Sequence, residues 1–320
     1  MKRNFVLVFV ILSVLVLSAA CSSSAAYESG KAEAAQPTET QEPTEVPTEA
    51  PTLEPTVTNT PAPTEIPGEQ VYPLSSLEDR VPWLPMNEDE RPMSVYYGFN
   101  YDKPPFDNVQ VRKAFAASID KDVIVEMATR YKFRDASPAT SLTPPLVLGR
   151  DLYGDVGIMY DPQQARQYLQ DAGYSSVENF PTVKLIVSTR GEAAPGAYYL
   201  MAQAVAEMWQ ENLGVTVEVE AIGNMPTYFQ RLQTENWDLY QLGWGADIVD
   251  PDNFLNELFH SGNEYNFGNF SDGDFDAAVD RAASNRIPRV RQGKYIEAEK
   301  ILCEEKVGVI PLYHTLYYGN

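Results

Sequence analysis

The sequence predicts an α/β layer fold with a sheet that is at least partly parallel, carried on a long stem that does not fold. Three observations predict it. From Met93 onward, short β-branched and aromatic runs alternate with runs of helical apolar period, the order of strand–crossover–strand units. Residues 1–20 gather apolar side chains into one block, and Tyr27 to about Gln70 is Pro, Thr and Glu with almost no aromatics. Of 320 residues 44% are hydrophobic, enough for a core in the remaining part.

The first block has Lys2 and Arg3, an apolar run from Phe5 to Leu17, then small residues. The run is shorter than the roughly 20 residues of a membrane-spanning helix and fits a secretory signal. Ser18-Ala19-Ala20-Cys21 follows and resembles the lipobox of bacterial lipoproteins, in which the Cys is lipidated; Ser18 stands where a Leu is usual, one place after Leu17. Ordinary signal cleavage with Cys21 incidental is the alternative. After Lys31 there is no basic residue until Arg80. A segment so rich in Pro and acid cannot bury enough apolar surface to offset the entropy of ordering, and it reads as an extended tether or a glycosylated stalk. The chain thus divides into a signal (1–20), a disordered tether (21–75) and a folded lobe (76–320).

Within the lobe, MSVYYGFN (93–100) reads as a strand. The turn PPFDN opens a helix from Val109 to Ile119, and Lys121 to Thr129 is a second. Asp161 caps a third, with Pro162 as its first residue and Gly173 at its end. VKLIVS (183–188) is a strand, Ala197 to Leu213 a long amphipathic helix closed by Gly214, and VTVEVEAI (215–222) an alternating strand. Pro226 to Thr234 is helical, and DLYQLGW (238–244) is a strand. Helices at Asp274–Ala283 and Pro288–Cys303 precede a last strand, GVIPLYH (308–314).

The formal net charge of −21 argues against nucleic acid, whose binding needs Lys and Arg, and against an anionic lipid surface. Of two cysteines, Cys303 falls at an apolar helical position and reads as a core thiol without a disulfide partner. Asp272, Asp274 and Asp276 have calcium-loop spacing, but Ala277 replaces the turn Gly and Ala283 the bidentate Glu, so a capped helix start is expected instead. The two histidines, His260 and His314, lack partners at zinc-ligand spacing. There is no GxSxG, no Cys/His pair and no phosphate-cradling Gly loop. No metal, no cofactor and no catalytic residue is expected.

GWGADIVDPDNF, Gly243 to Phe254, holds three carboxylates with different prospects. Asp250 is placed to cap the next helix, Pro251 to enter its first turn, and Asp252 to favour its positive end. Asp247 lies beyond the carboxyl end of the strand 238–244, where ligands of open α/β sheets tend to bind. A carboxylate there, beside Trp244, suits a ligand amine; a local turn Asp bonded to its own backbone is the alternative.

Several stretches together resemble the oligopeptide/dipeptide solute-binding proteins (family 5) of bacterial ABC importers. They are PPFDNVQVRKAFAASIDKDVIV, YDPQQARQYLQDAGY, DLYQLGWGADIVDPDNFL, YNFGNFSDGDFDAAVDRA and EKILCEEKVGVIPLYH, in the family's order from about residue 90 to the C-terminus. The resemblance implies a type II periplasmic-binding-protein-like lobe, a mixed sheet flanked by helices. It also implies a non-enzymatic substrate-binding protein outside the cytoplasmic membrane, with a peptide or other small solute and a membrane ABC permease as partners. In that family the Asp of the GWxAD segment meets the α-amino group of bound peptide; this points to Asp247, with Trp244, Gly245 and Ala246 as neighbours.

Family members are longer, and most of the first lobe precedes the segment that begins here near Arg91. The sequence is therefore expected to encode a second lobe almost alone, needing a separate chain to supply the other wall. A ligand in that half-cleft would stay exposed, its charge pair worth about 0–1 kcal/mol. A degenerate or truncated lobe acting as a surface interaction module is the alternative, marked by an apolar patch where the first lobe packs.

Overall fold

The computed structural model describes residues 90–133, 135–148, 156–189 and 196–318. The expected signal, the tether, Cys21 and the first residues of the lobe lie outside the described residues.

Among the described residues six strands form one mixed sheet in the order β2-β6-β1-β5-β3-β4. They are β1 (Glu90–Phe99), β2 (Ser137–Pro138), β3 (Val183–Ser188), β4 (Val217–Ile222), β5 (Leu239–Gly245) and β6 (Val309–Tyr318). β3 runs parallel to both β4 and β5, the crossover half of the sheet. β1 is antiparallel to β5 and to β6, and β2 closes the far edge against β6. The β1/β6 register shifts between Val95 and Tyr96, where Val95 faces Tyr313 and Tyr96 faces Pro311. Pro311 has no N–H to give a ladder, so it sits at an irregularity rather than in a regular stretch.

β1 alternates its side chains between two cores, as a buried central strand must. Val95, Tyr97 and Phe99 join Phe115, Trp209 and Leu185 on one face; Tyr96 joins Tyr240, Phe259 and Leu142 on the other. The first core is covered by α1 (Val109–Ala117), α2 (Lys121–Arg130), α4 (Pro162–Asp171) and α5 (Ala197–Leu213). The second is covered by α6 (Met225–Thr234), α7 (Asp252–Phe259), α8 (Gly273–Ser284) and α9 (Pro288–Lys300). A one-turn helix, α3 (Pro145–Leu148), lies between α2 and α4 in the chain. Among the described residues no helix is long and apolar enough to cross a membrane.

The caps follow the sequence closely. The Asp161 carboxylate accepts the N–H groups of Gln163 and Gln164 (3.0 and 2.9 Å), with Pro162 as the first residue of α4. Gly173 and Gly214, at φ +95° and +76°, take the left-handed conformation that stops α4 and α5. The carboxylate of Asp272 accepts from the N–H of Asp274 and Phe275 (3.1 and 3.0 Å) and pairs with Lys306 at 2.9 Å, so this segment is a helix cap. Cys303 is buried in the second core.

The C-terminal helix differs from expectation. α9 ends at Lys300, and Ile301–Glu305 widen into a π-turn in which Lys306 N–H reaches back to Ile301 O at 2.9 Å. Val307 then takes φ +46° before β6 starts. Arg112 organises this turn from α1. Its buried guanidinium donates to Phe106 O and Lys306 O, both at 2.7 Å, and to Val307 O at 3.1 Å, while lying 4.4 Å from the Tyr101 ring centre.

Candidate ligand-binding site

The segment after β5 builds the candidate site. Gly245 is the last residue of β5, opposite Met93 in β1. The chain follows β1 one step further, with Ala246 N–H donating to Pro92 O at 2.8 Å; Ala246 is buried beneath the surface that follows. The next position on both strands is occupied by Asp247 and Arg91, and Arg91 Nη1 lies 2.8 Å from Asp247 Oδ1. Both side chains are open to water, 45% exposed for Arg91 and 67% for Asp247.

Asp247 does not form the turn. That role falls to Asn253, a buried residue whose Oδ1 accepts the Asp247 N–H at 2.9 Å and the Trp244 indole N–H at 3.4 Å. The Asp247 carboxylate is thus free of local capping duty, and its backbone is fixed. Trp244 packs on Tyr265, ring centres 5.1 Å apart and tilted 59°, giving the site an aromatic side. Ile248 and Val249, 66% and 48% exposed, continue the rim.

The other two aspartates are structural. Asp250 Oδ1 accepts the N–H of Asp252 at 3.0 Å, and Pro251 takes helical dihedrals just ahead of α7. Asp250 also pairs with Arg291 of α9 (2.7 Å), and Asp252 accepts from the Tyr295 hydroxyl (3.1 Å). Burial, with the nearby charges of Asp252 and Asp250, pushes the Tyr295 hydroxyl well up, so it stays a donor. These links clamp the loop that carries Asp247 onto α9.

A second clamp lies behind the site. Ser94, opposite Trp244 in the sheet, donates to Leu142 O. The same strap is held by Lys121 Nζ to Ala139 O (2.7 Å), by His314 Nε2 to Ser141 O (3.0 Å), and by the Glu299 carboxylate, which accepts the N–H groups of Leu142 and Thr143 (2.9 and 2.7 Å). A carbonyl oxygen only accepts, so His314 Nε2 carries the proton. Burial drives each titratable member toward its neutral form: it lowers Lys121 to about 8 and His314 to about 4, and it raises Glu299.

Sequence reasoning singled out Trp244, Gly245, Ala246 and Asp247, which the structure places consecutively at the sheet end; Cys21 lies outside the described residues. Arg91, Asn253 and Tyr265 were missed. The signal for Arg91 is the antiparallel register of β1 and β5, which places residue 91 across from residue 247. Among the described residues no group of three or more His, Cys, Asp or Glu side chains could hold a metal ion. A groove of about 330 Å³ lined by Lys113, Asp161, Tyr168 and Glu304 among others shares no residue with this site.

Residues 56–266 match the family described as bacterial extracellular solute-binding proteins, family 5 Middle. The chain belongs to this family. As a family 5 solute-binding lobe it is similar to the oligopeptide-binding protein OppA of Bacillus subtilis (strain 168), 30% identical over 227 residues, which is 68% of this chain and 39% of that protein. It thus spans about 40% of the length of the curated relatives it matches. Among solved structures it resembles a peptide-binding protein of a peptide ABC transporter at 26% identity and TM-score 0.57, covering 70% of this chain and 99% of that one. It also resembles the unliganded open form of the periplasmic murein tripeptide binding protein MppA at 24% identity and TM-score 0.59, covering 77% of this chain and 47% of that one. The fold of the lobe is the type II, peptide-binding-protein fold, a mixed sheet flanked by helices. Its relatives are substrate-binding proteins, not enzymes.

Proposed function

We infer that this lobe belongs to an extracytoplasmic substrate-binding protein of an ABC importer and holds a peptide by its free amino group at Asp247. The observation that carries this is the Asp247 carboxylate, two-thirds exposed beyond the carboxyl end of β5 with its backbone held by Asn253. Trp244 and Tyr265 supply an apolar flank for the ligand body, and Gly245 and Ala246 bring the backbone close to it. The names of its relatives, oligopeptide-binding and periplasmic among them, support a peptide or related small solute. The membrane partner is an ABC permease, and the signal with Cys21 provides export and a lipid anchor at the periplasmic or outer cell surface.

At 67% exposure, a pair between Asp247 and a ligand amine is screened by water and contributes about 0–1 kcal/mol. Binding to this exposed surface is therefore weak, and a facing wall that excludes solvent tightens it. A second reading is favoured by Ile248 and Val249, whose exposure beside the site makes an apolar patch for a protein partner. Calorimetry of the full chain with Ala-Ala-Ala and N-acetyl-Ala-Ala-Ala separates the two. The ligand-site reading expects the free amine to bind better and Asp247→Asn to erase the difference. Equal binding of both peptides, or none, favours the interaction module.

A further inference from the structure

The loop after Asp247 carries its apolar side chains outward. Ile248 is 66% exposed, and among the described residues no large apolar side chain is more exposed; Val249 follows it. The tip is braced. Asp247 N–H is held by Asn253, Asp250 N–H donates to Ile248 O at 2.8 Å, and Asp250 is paired with Arg291 of α9. Beside the tip stand an exposed cation and an exposed anion, Arg91 and Asp247, 2.8 Å apart. One face thus holds a positive charge, a negative charge and an apolar pair side by side. Resting on the reading above that Ile248 and Val249 form an interaction surface, we propose that the partner is a second copy of this chain, docked through the same face about a two-fold axis.

A two-fold axis lays a face onto itself, so what one residue meets in the partner, its own counterpart meets in return. A face of one sign repels its copy under that operation. This face is its own complement. Rotation sets Arg91 of one protomer against the partner's Asp247, and Asp247 against the partner's Arg91. The four groups alternate in sign around a ring, and each charge that had one opposite neighbour gains a second. A guanidinium suits this position, because its planar fork has donors for two carboxylates at once. The apolar tips meet beside the ring and leave water. Bracing by Asn253 and Asp250 leaves the loop little freedom to lose on docking. An unrelated acidic or basic surface finds no net charge here to attract it. Two features keep the pairing weak. The four residues are few beside the roughly 20–30 on each side of a standard interface. The net charge of −21 on each chain also repels at long range until salt screens it. The partner's Arg91 and a ligand amine contend for one carboxylate, so peptide binding and pairing of copies oppose each other.

The test is sedimentation of the full chain at physiological ionic strength over a concentration series. The expected result is a monomer–dimer transition with a midpoint of about 0.1 mM, which Ile248→Asp moves upward by about tenfold or more. Arg91→Asp and Asp247→Arg each leave the face with a single sign, so each variant alone stays monomeric across the series. Mixed in equal amounts they form a heterodimer, because one supplies the anions and the other the cations; this recovery also shows that both variants are folded. A chain that stays monomeric throughout overturns the second copy as partner and leaves the surface to a different protein. A dimer indifferent to Ile248→Asp overturns the proposal and the interaction-surface reading together. Charge-reversed variants that dimerise alone as well as the unsubstituted chain, or that fail to pair when mixed, overturn the two-fold arrangement.

Discussion

His314 offers a test of the buried clamp behind the site. The ring is 6% exposed, donates to Ser141 O and shares its surroundings with the Lys121 ammonium. Burial depresses its pKa to about 4 from an ordinary 6.5, so the unfolded chain binds a proton there more tightly than the folded one. Stability therefore rises with pH through this window: His314 takes nothing away above about pH 6.5 and increasingly destabilises the fold as pH falls toward 4. At pH 5 the two values give a loss of about 2 kcal/mol relative to pH 8. Glu299 works in the other direction. Its carboxyl is raised by burial, so its contribution is full below the ordinary value and declines as pH rises through the folded one. A double difference removes that opposing slope. Urea unfolding of the unsubstituted chain and His314→Gln at pH 8 and pH 5 should show the stability gap between them changing by about 2 kcal/mol, roughly 1 M in midpoint. Gln keeps a donor for Ser141 but cannot take a proton. A gap that changes by less than about 0.5 kcal/mol would show that the ring titrates as it does in the unfolded chain, and the buried-clamp account would fail.

Three further outcomes follow from the same contacts. Arg112→Lys should destabilise by about 2–4 kcal/mol in denaturant, because a single ammonium cannot serve Phe106 O, Lys306 O and Val307 O together; an unchanged midpoint would refute the staple. Asp250→Ala loses both the bond to the Asp252 N–H at the start of α7 and the Arg291 pair, about 1–2 kcal/mol, whereas Asp250→Asn keeps an acceptor for that N–H and should lose less than half of that by thermal melting. The Cys303 thiol, raised by burial and by the neighbouring Glu299 carboxylate, should react with a thiol reagent only at the rate of unfolding, and fast labelling in native buffer would contradict its burial.

Much of this architecture is local enough to be written in the sequence. Asp161-Pro162 and Asp250-Pro251-Asp252 announce their helices because a short acidic side chain and a missing N–H act within three residues. Asp247 is legible as a strand-end residue for the same reason. Its partner is not, since Arg91 lies 156 positions away and becomes a neighbour only through the β1/β5 register. The extra length of β1 and β6 was hidden likewise. Glu90 to Pro92 have weak strand propensity, and they are extended because residues 316–318 of β6 pair with them. β2 and α3 are too short to show a period, and the chain that leaves the π-turn after α9 is held at the carbonyls of Lys306 and Val307 by Arg112, a contact that no window along the chain contains.

Whether ligand meets this lobe at the Asp247 end of β5 can be read from one indole. Trp209 and Trp237 are buried at 0% and 2% exposure, while Trp244 is half-buried at the site and bonded to the residue that holds Asp247. In a titration of the full chain with Ala-Ala followed by indole N–H resonances, the account predicts that the Trp244 signal moves progressively while those of Trp209 and Trp237 stay fixed, and that Asp247→Asn abolishes the movement. A Trp244 signal that stays still while Ala-Ala binds elsewhere on the chain would contradict it.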